Sequence, residues 1–338
     1  MFIPGLPGEL WPIHVRPKPD ELLTSWVIRL AHAHGYRSET ACALALGHGH
    51  AFWCRDSDRS APLEKLAKLA QAGGLDVETL EGLTLRPWAG FLSESIKIDT
   101  GSPGILPAGI YHRKRRRFGL MACPVCLTLD DTPYYRRDWR LAFLAVCPEH
   151  GVLLLDRCEA CSEPIAPYRV DMKWVMRTSN GGYLHVLCHG CGHDLRKSRR
   201  ISVERSEVAF ARLIADTLHK GQVELSTGMT LHSVAFFKGI RVLLGCVRLA
   251  SIRGHMSAHQ ARRSNCRSRW GDFEVMELKG RREGLFQVAS LLEEWPNLFL
   301  AFAAEHHITF TDMLNICRTS RELPYWLWLI ARWHLRRG

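Results

Sequence analysis

Cys123-Pro124-Val125-Cys126, Cys147-Pro148-Glu149-His150, Cys158-Glu159-Ala160-Cys161 and Cys188-His189-Gly190-Cys191 are four tight pairs of residues with metal-ligand side chains. Two residues separate the ligands of each pair, so both side chains of one turn can face a single ion, and two such turns complete a tetrahedron. Twenty residues lie between the first pair and the second, and twenty-six between the third and the fourth. Sequential pairing places one Zn²⁺ on Cys123, Cys126, Cys147 and His150 and a second on Cys158, Cys161, Cys188 and Cys191. The pairs at 147–150 and 158–161 could instead share an ion, or the sites could interleave. In every arrangement eight ligands close two sites and leave no open position for an activated water, which is the mark of structural zinc. Redox dithiols are the competing reading, and four pairs in the span 123–191 count against it. His112, His189 and His193 are spare imidazoles, placed outside the ligand sets because histidines beside ligands more often support them.

Helical periodicity flanks this region on both sides. Asp20 can cap a helix over 20–34 whose apolar positions are Leu22, Leu23, Trp26, Val27, Leu30 and Ala33, with Gly35 as its stop. A second helix is expected over 38–46, and a third begins at Pro62 and ends at Gly73 and Gly74. With a short helix over 76–83 these residues have the outline of a helix-turn-helix. Gly101, Pro103, Gly104, Pro107 and Gly109 mark an irregular boundary. Short β-like stretches are expected at 139–146, 152–155 and 183–187, between the metal-binding turns. Beyond residue 201 helices are expected at 204–218, 231–252, 284–295, 297–304, 310–317 and 324–335. The fold class is therefore mainly α with a small central zinc-ribbon β region. It divides into an N-terminal helical domain (1–110), a tandem zinc-binding region (111–200) and a C-terminal helical domain (201–338).

The chain has 338 residues, is 46% hydrophobic and carries a formal net charge of +11. Such a composition builds cores and favours a polyanionic partner. The cations cluster. Arg113, Lys114, Arg115, Arg116 and Arg117 are consecutive, Arg196, Lys197, Arg199 and Arg200 follow the last metal pair, and Arg262, Arg263, Arg267 and Arg269 lie further on. The first two clusters are the candidate contacts to a DNA or RNA backbone or to an acidic partner. In Tyr134-Tyr135-Arg136-Arg137-Asp138-Trp139-Arg140 the aromatic rings are read as filling the small zinc core.

No apolar stretch approaches the roughly 20 residues that span a bilayer, and the first twelve residues do not read as a signal peptide. No membrane contact and a cytoplasmic location are expected. In that reducing compartment Cys42, Cys54, Cys246, Cys266 and Cys317, outside the pairs, read as small buried hydrophobes. No phosphate-binding Gly-Lys-Ser/Thr, dinucleotide glycine motif, His-Glu-x-x-His, deaminase His-x-Glu or Gly-x-Ser-x-Gly is present. No catalytic residue is assigned, and a nuclease built on scattered carboxylates is the enzymatic rival.

Pro12-Ile13, then Pro19-Asp20-Glu21-Leu22-Leu23-Thr24-Ser25-Trp26-Val27-Ile28-Arg29-Leu30-Ala31 with His34-Gly35, resemble the opening of the TniQ family. So do Ala122-Cys123-Pro124-Val125-Cys126-Leu127, Pro133 to Leu141, and Cys147-Pro148-Glu149-His150-Gly151-Val152-Leu153-Leu154 with Cys158. The resemblance covers about residues 10–200. It implies a targeting subunit of Tn-seven-like transposons, including those that use a CRISPR surveillance complex. Such proteins recruit a TnsC-type AAA+ ATPase, and some assemble as homodimers on a Cascade complex. Others, similar to TnsD, bind an attachment sequence directly. The expected function is a non-enzymatic adaptor between a target-recognition complex and that ATPase. A TnsD-like DNA-binding protein is the alternative. The helix at 324–335, apolar around nearly its whole circumference, is expected to be buried on more than one side, within its domain or against a second copy or a partner.

Overall fold

The computed structural model describes residues 9–97, 102–108, 110–111, 114–115, 117–170, 183–254, 270–317 and 322–335. They fall into two units. One comprises Met1–Ala89, Ile96–Leu141 and Val152–Ser202, the other Gly90–Ser95, Ala142–Gly151 and Val203–Gly338.

The first unit opens on α1, Leu23–Ala33, which buries Leu23, Trp26, Val27 and Leu30 as its periodicity requires. Its N-cap is Leu22, with no side-chain cap, two residues beyond the expected Asp20, whose carboxylate pairs with Arg137 at 2.6 Å. Gly35, at φ 71°, ends the helix as expected. The helices α2 (Ser38–Leu46), α3 (Ser57–Ser60), α4 (Leu63–Gly73) and α5 (Val77–Gly82) follow. Trp26, Leu30, Ala45, Phe52, Trp53, Leu66, Leu69 and Leu80 are among the residues of their common core. Gly73 lets α4 approach closely: a Cβ there would stand 2.6 Å from the Trp26 ring. Asp76 caps α5 through the Thr79 N–H at 2.6 Å. The outline of two helices about a glycine turn is thus present. Yet α5 carries Glu78 and Glu81 and no cation, the wrong sign for a phosphate backbone.

Beyond the two-residue strands β1 (Ile110–Tyr111) and β2 (Lys114–Arg115) the unit is mostly turns. The three expected β-like stretches take part only in isolated bridges, Ile105 with Leu141, Ala122 with Leu155, Val152 with Ser202 and Leu187 with Asp194. Single turns of 3-10 helix at Arg137–Arg140 and Leu184–Val186 interrupt what would have been strands. A short helix, α6 (Pro124–Leu129), starts inside the first metal pair with Cys123 as its N-cap.

In the second unit α7 (Arg205–Lys220) carries a capping box between Glu204 and Glu207 and ends at Gly221, φ 76°. A hairpin of β3 (Gln222–Glu224) and β4 (Thr230–His232), not anticipated from the sequence, feeds α8 (Ser233–Gly254). The unit continues with α9 (Leu278–Glu293), α10 (Asn297–Glu305), α11 (Phe310–Ile316) and α12 (Tyr325–His334). Gly239 of α8 receives the Trp326 ring so closely that a Cβ would lie 2.1 Å from it. Trp326 also donates to the Ala235 carbonyl at 3.1 Å. Among the described residues Trp326, Leu327 and Ala331 of α12 are buried, Trp328, Leu329 and Ile330 are half-buried, and Tyr325 and Trp333 are exposed. No helix among the described residues is long and apolar enough to cross a membrane.

Candidate metal centres

Local backbone geometry aims the ligands. In the first turn the Cys126 N–H donates to the Cys123 sulfur at 3.4 Å as α6 begins. The other three turns share one design. The N–H of the residue after the second ligand returns to the first ligand's carbonyl, from Gly151 to Cys147 (3.0 Å), Ser162 to Cys158 (2.8 Å) and Gly192 to Cys188 (2.8 Å). All three donors adopt left-handed backbone, with φ of 60°, 61° and 77°. Two are glycine, for which this costs nothing, and the third is serine. The third and fourth turns are closed further by Cys158 N–H to the Glu163 carbonyl and Cys188 N–H to the His193 carbonyl, at 2.9 and 2.8 Å.

The first two turns are also anchored to their surroundings. Ala122, just before Cys123, exchanges backbone bonds with Leu155. In the segment leading to Cys147, the Ala142 and Leu144 carbonyls accept from the buried Arg281 guanidinium at 3.0 and 3.2 Å. Arg212 holds the Pro148 carbonyl at 2.8 Å.

The result is two groups, Cys123, Cys126, Cys147 and His150, and Cys158, Cys161, Cys188 and Cys191, with all ligand atoms of a group within 4.8 Å of one another. The grouping is the sequential one. Cys158 and Cys191 sulfurs are 3.7 Å apart, Cys161 and Cys188 sulfurs 3.5 Å, and the Cys147 sulfur and His150 Nδ1 3.5 Å. A tetrahedral Zn²⁺ with Zn–S of about 2.3 Å and Zn–N of about 2.05 Å sets its ligand atoms about 3.5–3.8 Å apart, whereas a disulfide needs about 2.05 Å. The donor sets therefore fit a metal ion with a preference for sulfur and imidazole. Of the spare imidazoles, His193 lies 3.4 Å from Glu159 and His189 3.6 Å from Glu163, while His112 is outside the described residues.

Residues 12–154 match the TniQ family model. This TniQ segment contains the first Cys/His group entire. The match points to a transposition-associated targeting protein. Comparison with curated proteins gives no match.

The TniQ segment holds structure that pattern reading missed. Arg140, fully buried, donates to both carboxylate oxygens of Asp56 at 2.9 and 2.6 Å, to Asp58 at 3.1 Å and to the Leu106 carbonyl at 2.9 Å. Asp58 in turn accepts from the Thr24 N–H and hydroxyl at 2.8 and 2.9 Å. Burial pushes the Asp58 carboxyl up and Arg140 opposes the shift. Glu21 is equally enclosed, held by Arg29 at 2.6 Å and Ser25 at 2.8 Å. The carboxylate partners of Arg140 lie more than eighty residues away, so no local spacing announces them. Tyr135 and Trp139 pack edge to face at 5.7 Å in the interior, as their reading as core fillers requires. Arg136 is committed to Asp130 at 2.8 Å.

The basic clusters have separate fates. Arg196 is tied to Asp194 at 2.7 Å, whereas Lys197, Arg199 and Arg200 are exposed. Lys114 and Arg115 form β2 and Arg117 is exposed, while Arg113, Arg116 and the cluster Arg262, Arg263, Arg267 and Arg269 lie outside the described residues. Among the cysteines outside the pairs Cys42, Cys246 and Cys317 are buried as expected, but Cys54 is exposed and Cys266 is not described.

Proposed function

We propose that this chain is a non-enzymatic target-selection adaptor for DNA transposition, linking a target-recognition complex such as Cascade to a TnsC-type AAA+ ATPase. The match of residues 12–154 to TniQ carries the reading. The two Cys/His groups support it, because four protein ligands each would leave a bound Zn²⁺ no open position, so that the ion supplies cross-linking and no Lewis-acid catalysis. The exposed Lys197, Arg199 and Arg200 supply a cationic edge suited to a nucleic-acid backbone.

The test is affinity purification of the tagged chain co-expressed with the proteins encoded beside it. Recovery of an AAA+ ATPase together with surveillance-complex subunits supports the adaptor. Retention of a single duplex sequence without those proteins replaces it with a direct attachment-site reader, and recovery of neither sinks both. In the same preparations, Lys197→Ala, Arg199→Ala and Arg200→Ala combined should weaken DNA retention and lower the slope of log affinity against log salt by up to about 3.

A further inference from the structure

The last helix is amphipathic twice over. Inward, Trp326, Leu327 and Ala331 are buried, with Trp326 seated against Gly239 and 4.8 Å from the Trp295 ring. Outward, Tyr325, Trp328, Leu329, Arg332 and Trp333 recur at i, i+3, i+4, i+7 and i+8, a helical stripe in which Trp328 and Leu329 are half-buried and the other three exposed. Tyr325 and Trp333 are 71% and 74% exposed, far from the scattered single apolar residue that any surface tolerates. The stripe is also ordered. The Tyr325 and Trp328 rings stack at 6.2 Å and 15°, and the Arg332 guanidinium lies 5.3 Å from the centre of the Trp328 ring.

We propose that this outward face of α12 is a docking surface for an acidic amphipathic helix of a protein partner. Tryptophan, tyrosine and arginine are the residues that carry most binding energy at protein interfaces. From Tyr325 to Trp333 the stripe runs about 12 Å, the reach of two turns of a partner helix presenting its own i, i+3, i+4, i+7 anchors. Charge selects the partner's sign, since α12 contains Arg332 and His334 and no carboxylate. A second copy fits poorly. Parallel pairing sets Arg332 against Arg332, and antiparallel pairing sets it against the positive end of the other helix dipole. Single-stranded nucleic acid, which would stack its bases on exposed ring faces, is the competing occupant that the oligothymidylate arm of the test below addresses. The inference goes beyond the adaptor reading and does not depend on metal binding.

Full-length protein would be titrated with fluorescein-labelled heptad peptides of leucine and glutamate, of leucine and lysine, and with a 20-nucleotide oligothymidylate. The glutamate peptide should bind more tightly than the lysine peptide. Trp333→Ala, and separately Tyr325→Ser, should each weaken it by roughly tenfold with unchanged far-UV helicity. Arg332→Glu should invert the preference between the two peptides. Equal affinity for both peptides, or glutamate-peptide binding indifferent to Trp333→Ala and Tyr325→Ser, overturns the proposal. So does oligothymidylate binding that Trp333→Ala abolishes, or a wild-type dimer in sedimentation that Trp333→Ala dissociates.

Discussion

At the scale of single residues the first unit depends on ions that have left water. Arg140 offsets two carboxylates, one of them on the fully enclosed Asp58, and removing a buried partner strands the charges that remain. Arg140→Met is expected to destabilise the protein by about 3–5 kcal/mol, and Asp58→Asn in the same chain to recover part of that loss. Denaturant titration giving a loss below about 1 kcal/mol would show the network to be ornamental. Two histidines add a pH dependence. Burial pushes His32 down to about 4, while burial, His32 and the nearby Arg29 and Arg196 push His185 down to about 3. Both fold neutral, and in the unfolded chain both take up protons near pH 6.5. Their contribution is complete above that value and is lost as pH falls from about 6.5 towards 4 and 3. His32→Phe should flatten the decline of stability between pH 6.5 and 4.5, and an unchanged slope would remove His32 from the account. Neither effect was visible in the sequence, because burial decides both and the carboxylate partners of Arg140 lie more than eighty residues away, while the two Cys/His groups announced themselves by spacing alone.

At the scale of elements the four metal turns differ in one informative position. Gly151 and Gly192 take the left-handed conformation freely, whereas Ser162 takes it with a Cβ. Ser162→Gly should therefore stabilise the protein by up to about 1 kcal/mol, read as a raised midpoint in thermal unfolding. A lowered midpoint would mean that the serine side chain earns its place by some contact of its own. The helices were legible because their periodicity reports one buried face, as in α1, α4 and α7. The hairpin before α8 was not, since Thr230-Leu231-His232 joins smoothly onto the apolar periodicity of the helix behind it. The β-like stretches around the metal turns misled for a related reason. Their apolar residues are buried by turns and 3-10 segments, which need hydrophobic filling as much as a strand does and share no period with it.

At the scale of the whole molecule the two Cys/His groups set the terms of stability. If both hold zinc, metal analysis of purified protein should find two ions per chain, and chelators should abolish cooperative unfolding. Cys126→Ser should lower the content to one and weaken the region around α6. A content of one ion or none in the wild-type chain would count against the assignment. The composition of the two groups has an electrical consequence as well. The formal charge of +11 treats every cysteine as neutral. Three thiolates around one Zn²⁺ leave that centre at −1, and four around the other leave it at −2. Loading thus withdraws three positive charges from the protein, and stripping the metal at neutral pH returns them as the thiols reprotonate. A metal-depleted preparation is the more cationic species, held harder by any polyanion at low salt. Tight DNA retention measured on such material would report the counter-ions of an unfolding chain, so the proposed nucleic-acid contact has to be measured on zinc-replete protein.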